Sequence, residues 1–220
     1  MANELSESVY TVGEEIAHAV THGIGALLSI AGLAVLVAFA TLYGNAWHIT
    51  SSSIYGATLI LLYTASTLYH GIPQPAAKRV LRRLDHAAIF LLIAGTYTPF
   101  TLVNLRGEWG WLLFGLVWGF AILGVVLVTV AKRRIKWLSL TLYLGLGWLV
   151  VIAIEPLLDS VASGGLILLL AGGLCYSLGV IFYVWKRLSY HHAVWHMFVM
   201  AGSMLHFFSI LFYVLPPATN

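Results

Sequence analysis

WGWLLFGLVWGFAILGVVLVTVA, residues 109–131, carries no charged side chain. As an α-helix rising about 1.5 Å per residue, this stretch is long enough to cross the roughly 30 Å of hydrocarbon in a lipid bilayer. The alternation of polar and apolar residues that marks a barrel strand is absent from it. The stretch therefore predicts a membrane-spanning helix.

The composition of the whole chain indicates the same class of protein. Of its 220 residues, 60% are hydrophobic and only 9% are charged. A soluble domain of this length could not bury so much apolar surface. The formal net charge is +3, but the basic residues form short clusters between helices and no nucleic-acid motif is present. We therefore expect anionic lipid headgroups, and no nucleic acid, as partners of these clusters.

Further apolar stretches of similar length divide the chain into helices separated by short segments with helix-breaking residues. The seven stretches run approximately over residues 24–43, 53–70, 85–103, 109–131, 137–158, 164–185 and 192–215. We predict an all-α integral membrane protein with a seven-transmembrane helix bundle over residues 21–215. A short cytoplasmic N-terminal segment, residues 1–20, precedes the bundle.

The basic residues predict how the bundle is oriented. All 11 Lys and Arg residues except Arg106 lie in alternate interhelical loops. These residues are Lys78, Arg79, Arg82, Arg83, Lys132, Arg133, Arg134, Lys136, Lys186 and Arg187. Because cytoplasmic loops carry the excess of positive charge, the N-terminus is expected in the cytoplasm and the C-terminus outside.

Polar residues gather at the cytoplasmic ends of three predicted helices. Ser66 and His70 close the second helix, Asp85 opens the third, and His192 and His196 open the seventh. Residues four apart share a helix face, so each of the two pairs points in one direction. Three neutral imidazoles with one open position form a catalytic zinc site. A carboxylate at the same depth would orient a ligand or act as general base. Alternatively, Asp85 caps the third helix.

Other roles for histidines in this chain stay open. A histidine in a membrane helix often makes a hydrogen bond between helices and binds no metal. His18 and His22 form another pair four residues apart, which is either an alternative metal-binding set or part of a polar amphipathic segment at the membrane surface. His206 lies ten residues beyond His196, too far along the helix to share its metal. It is expected to be a buried hydrogen bonder, with a proton relay as the alternative.

These residues, with the stretches around them, resemble the progestin and adiponectin receptor family, and its bacterial hemolysin III or membrane-homeostasis branch in particular. The stretches are EEIAHAVTHGIGA (14–26), STLYHGIP (66–73), LDHAAIFLLIAGTYTPF (84–100) and HHAVWHMFVMAGSMLHFF (191–208). The resemblance implies a seven-helix fold with a cytoplasmic N-terminus. It also implies a zinc ion held by His70, His192 and His196, with Asp85 and Ser66 beside the water that the metal activates.

Three functions follow as hypotheses. The first is a zinc-dependent hydrolase of lipid amide or ester bonds that contributes to membrane homeostasis, with its lipid in the bundle cavity. The resemblance favours it, because the adiponectin receptors are regarded as ceramidases. The second is a non-enzymatic sensor or regulator of membrane state in which zinc is structural. The third is a cytolysin, as the name hemolysin III implies, although seven long apolar helices indicate a resident protein of the bacterial cytoplasmic (inner) membrane.

Overall fold

Every regular element in the described residues, 10–131 and 136–216, of the computed structural model is helical. The helices are α1 (Val12–Tyr43), α2 (Ala46–Gly71), α3 (Pro75–Pro99), α4 (Glu108–Val130), α5 (Lys136–Gly147), α6 (Ile154–Ser160), α7 (Ser163–Val184) and α8 (His191–Tyr213). A π-helical segment, Phe100–Asn104, continues α3, and a 3-10 segment, Leu149–Ala153, joins α5 to α6. The prediction of an all-α architecture is confirmed for this part of the chain.

Within the described ranges, six helical runs are long and apolar enough to cross a membrane. They are α1, α3 with its π-helical continuation, α4, the run from α5 to α6, α7 and α8. The remaining predicted span, residues 53–70, corresponds to α2, which has 26 residues but is not apolar enough to be among these six runs. Its polar side chains include Ser51, Ser52 and Ser66, all buried against neighbouring helices.

The order of packing brings α1, α2 and α8 together. Along the chain α1 packs on α2, α2 on α3 and α3 on α4, while α8 packs on both α7 and α1. Gly95 allows α3 to approach α2 closely, because a Cβ atom there would collide with the side chain of Thr58. Since α2 ends at the end of the bundle where α1 and α8 begin, residues distant in sequence meet there.

The helices begin earlier than the apolar stretches that predicted them. The first helix begins at Val12, where Thr11 and Glu14 form a reciprocal capping box, so it extends into the predicted N-terminal segment. The third begins at Pro75, a residue whose fixed φ suits the first helical position. Asp85 therefore lies well inside α3, and the prediction that it opens and caps this helix is wrong. Residues 75–84, which precede Asp85, are helical although many of them are polar.

Some of the sequence predictions concern residues outside the described ranges. Residues 1–9 of the N-terminal segment are among them. So are Lys132, Arg133 and Arg134 in the segment between α4 and α5. The basic residues of the other two predicted cytoplasmic segments are described, and they lie at the end of the bundle where α1 begins.

Candidate metal centre

Five histidines from three helices meet at this end of the bundle. His18 and His22 come from α1, His70 from α2, and His192 and His196 from α8. All five are buried, with His18 and His196 fully enclosed. We refer to these five residues as the histidine cluster. Imidazoles buried this far from water require partners for their ring nitrogens.

The three histidines predicted as ligands are neighbours in this cluster. The ring centroids of His70 and His192 lie 5.1 Å apart, those of His192 and His196 4.6 Å, and those of His70 and His196 5.3 Å. No described residue supplies a hydrogen-bond partner for Nε2 of His70, Nε2 of His196 or either ring nitrogen of His192. These nitrogens are therefore suited to coordinate a metal ion.

The cluster also includes His18, whose ligand atom lies close to those of His70 and His192. The ring of His18 lies 4.7 Å from those of both His70 and His192. The ligand atoms of these three residues all lie within 4.8 Å of one another, which makes them a group able to hold a metal ion. Neither ring nitrogen of His18 has a hydrogen-bond partner within the described ranges.

The interpretation of His18 and His22 as a polar segment at the membrane surface is wrong. His18 is 0% exposed and His22 is 1% exposed. The ring of His22 stacks on that of His196, with centroids 3.5 Å apart and planes inclined by 10°, and it meets the edge of Tyr63. The polar face of α1 is therefore turned into the bundle.

In two rings of the cluster, those of His70 and His196, Nδ1 has a polar neighbour. The Glu15 carboxylate accepts a hydrogen bond from Nδ1 of His70 at 2.6 Å, and Lys78 donates to the same carboxylate at 2.6 Å. The Thr21 hydroxyl, which can donate to the Ala17 carbonyl, lies 3.2 Å from Nδ1 of His196. A proton on Nδ1 in each ring leaves the lone pair of Nε2 free, as in carboxylate–histidine–metal sites.

The two other predicted site residues, Asp85 and Ser66, are both buried. The Asp85 carboxylate accepts a hydrogen bond from Nδ1 of His86 at 3.1 Å, and Asp85 lines a cavity together with His22 and His192. The Ser66 hydroxyl is fully buried, and none of the described residues offers it a hydrogen-bond partner. Asp85 thus faces space that a small polar group could enter.

The cavity beside Asp85 has a volume of about 150 Å³. Its polar end is formed by Asp85, His22 and His192, and most of its remaining wall is apolar, including Leu92 and Val199. His206 also lines the cavity and makes a hydrogen bond of 3.1 Å between its Nε2 and the Leu169 carbonyl, as expected from the sequence. A cavity with one polar end and apolar walls suits an amphipathic ligand.

Glu15 and His18 are the members of this site that the sequence interpretation missed or set aside. A signal for both was present, since Glu15, His18 and His22 follow the i, i+3, i+7 spacing of one helix face. The first apolar stretch was predicted to begin at residue 24, beyond all three residues. Their shared helix face was therefore not recognised from the sequence.

Sequence comparison finds relatives over nearly the whole chain. A sequence model of the family described as haemolysin-III related matches residues 10–207. Hemolysin-3 of Bacillus cereus is 46% identical over 219 residues, covering 100% of both chains. The Hemolysin-3 homolog of Bacillus subtilis is 49% identical over 205 residues, covering 93% of this chain and 96% of that one. Monocyte to macrophage differentiation factor of Homo sapiens is 27% identical over 218 residues, covering 96% and 88%.

Proposed function

Because the chain belongs to the haemolysin-III-related family, we propose that it is a zinc-dependent hydrolase of lipid amide or ester bonds that contributes to membrane homeostasis. The chain is a multi-pass bacterial membrane protein, so membrane lipid is its accessible substrate. One observation carries the proposal: His22 and His192, whose ring nitrogens have no partners among the described residues, line the polar end of a mainly apolar cavity beside Asp85.

The proposed zinc ligands are His70, His192 and His196. The free Nε2 atoms of His70 and His196 support this assignment, as does the closeness of the three rings. When bound, zinc would polarise the lipid carbonyl and activate water. Glu15 would hold the His70 ring in place, because a carboxylate on the opposite nitrogen orients a ligating imidazole.

Asp85 is the proposed general base and Ser66 a polar neighbour of the reacting group. The Asp85 carboxylate lines the cavity, where it can take a proton from the attacking water and return it to the leaving group. The apolar walls would hold the hydrocarbon chain and keep bulk water out. A lipid amide or ester lying just below the headgroups would then reach the polar end of the cavity.

A regulator of membrane state with a structural metal is the second candidate. The observation that favours it is the ring of His18, whose centroid lies 4.7 Å from those of His70 and His192 and 5.5 Å from that of His196, since structural zinc sites are closed by four protein ligands. This candidate predicts a metal-dependent effect on membrane fluidity without lipid turnover.

Purified protein is expected to contain about one zinc ion per chain and to release fatty acid from a lipid amide or ester in vesicles. Removal of the metal by a chelator should abolish the release, and added zinc should restore it. Metal analysis and mass spectrometry of the products measure the two quantities. Vesicles with chelator and zinc but no protein are the control. Bound zinc with no turnover of either lipid class would leave the regulator as the function.

We also propose that α2 and the six apolar helical runs all cross the membrane, with the N-terminus in the cytoplasm and the C-terminus outside. The basic residues near Arg82 and Arg187 support this orientation and would contact anionic headgroups. They lie at the same end of the bundle as the histidine cluster. Arg106 lies at the other end, where its guanidinium is 4.3 Å from the ring centroid of Trp47.

Reporter fusions test this orientation. Fusions in the segments around Arg82 and Arg187 are expected to report a cytoplasmic position, and a fusion after Leu215 an external one. A cytoplasmic reporter after Leu215 would contradict both the odd number of crossings and the cytoplasmic position of the histidine cluster.

A further inference from the structure

One aromatic ring lies over the histidine cluster at the end of the bundle where α1 begins. The ring of Tyr10, two residues before α1, meets that of His18 edge-on, with centroids 4.7 Å apart. Its centroid lies 5.3 Å from that of His192 and 6.2 Å from that of His70. Tyr10 is partly exposed, whereas the three histidines are buried. The Tyr10 ring therefore lies between these histidines and the water at this end of the bundle.

Tyr10 is held in place by Lys186 and, through the backbone, by Glu14. The Nζ atom of Lys186 lies 5.7 Å from the centroid of the Tyr10 ring, within range of a cation–π interaction. The Glu14 carboxylate accepts hydrogen bonds from the backbone N–H of Thr11, at 2.9 Å, and from that of Tyr190, at 3.2 Å. This carboxylate ties the residue after Tyr10 to the residue before α8, so the start of α1 is docked on the start of α8.

A metal ion has to pass a barrier to reach the cluster, because all of the clustered histidines are buried. Moving an ion from water through hydrocarbon is far too costly, which leaves the aqueous end of the bundle as the route. Tyr10 lies outside the helix and can swing away without unwinding a turn of α1. Glu15, which also borders the cluster, is part of α1 and is held by His70 and Lys78 through hydrogen bonds of 2.6 Å. Displacing the Tyr10 ring therefore disturbs the fold less than displacing Glu15.

We propose that Tyr10 is a cover over the metal centre, and that its ring moves aside when zinc enters or leaves the histidine cluster from this end of the bundle. The inference rests on the proposed zinc site and adds the route by which that site is loaded. A cover that only controls passage changes the rates of metal binding and dissociation by the same factor and leaves Kd unchanged. A ring that stabilises the bound metal would instead change Kd.

Transfer of zinc from the purified, zinc-loaded protein to an excess of a coloured chelator tests the inference, because the rate of colour formation reports the dissociation of the metal. In Tyr10→Ala we expect zinc loss and zinc uptake each to be faster by about tenfold or more, with Kd within about twofold of its original value. Tyr10→Phe keeps the ring and should keep the original rates. Tyr43→Ala is the matched control, since it removes an exposed tyrosine from the other end of α1 and should change neither rate.

These measurements separate the cover from the metal centre beneath it. Zinc that leaves Tyr10→Ala at the original rate would overturn the cover and leave the proposed zinc site standing. Faster loss with a proportional rise in Kd would also overturn it, because the ring would then stabilise the site without gating it. Absence of bound zinc from the unaltered protein would overturn both. If Tyr10→Ala fails to fold, Tyr10→Leu and Lys186→Gln provide the same comparison, because the first shrinks the side chain and the second removes the cation beside the ring.

Discussion

Replacing Asp85 with Asn is expected to lower the rate of lipid hydrolysis by about 10²–10⁴-fold while zinc stays bound. Asn is nearly isosteric with Asp, and its amide oxygen can still accept the hydrogen bond from Nδ1 of His86. It cannot take a proton from the attacking water. Fatty acid release by purified Asp85→Asn, divided by its zinc content, measures the effect.

The chain offers a matched control for this substitution in its other aspartate, Asp159, which is exposed on α6. Asp159→Asn makes the same chemical change outside the cluster and should keep full activity. Normal turnover by Asp85→Asn would remove Asp85 as the general base. If the protein is a regulator, its effect on membrane fluidity should survive Asp85→Asn and disappear only when the clustered histidines are replaced.

The helices could be predicted from sequence because lipid requires long runs of apolar residues, and these runs are visible without knowledge of the fold. Their ends could not be predicted in the same way. Helices continue into the polar layer at the membrane surface. Backbone hydrogen bonds persist there, but the residues are no longer apolar. For this reason the predicted third helix began at Asp85, whereas α3 begins at Pro75.

The closeness of His70, His192 and His196 was predictable from two facts that need no coordinates. Their spacing gives each helix one polar face, and the alternation of spans puts those faces at one end of the bundle. The contribution of α1 was not predictable on that basis. Which face of α1 turns inward depends on its packing against α2 and α8, and that packing buries His18 and brings Glu15 to Nδ1 of His70.

Replacing both His70 and His192 with Ala is expected to abolish zinc binding. These two residues belong to the ligand set implied by the family resemblance and also to the group whose ligand atoms lie mutually within 4.8 Å. At most His18 and His196 would remain, and two imidazoles are too few for a stable zinc site. The expected occupancy is below about one tenth of that in the unaltered protein.

Stability provides an independent measure of the same loss. A metal that binds only the folded state at 100 times its Kd adds about 2.7 kcal/mol to the free energy of unfolding. A chelator should therefore lower the Tm of the unaltered protein in detergent and leave that of the double variant unchanged. His206→Ala is the control, because His206 is a buried histidine of α8 that bonds the Leu169 carbonyl. Full zinc occupancy in a folded double variant would show that the metal binds outside the histidine cluster. The proposed position of the hydrolytic site would then be wrong as well.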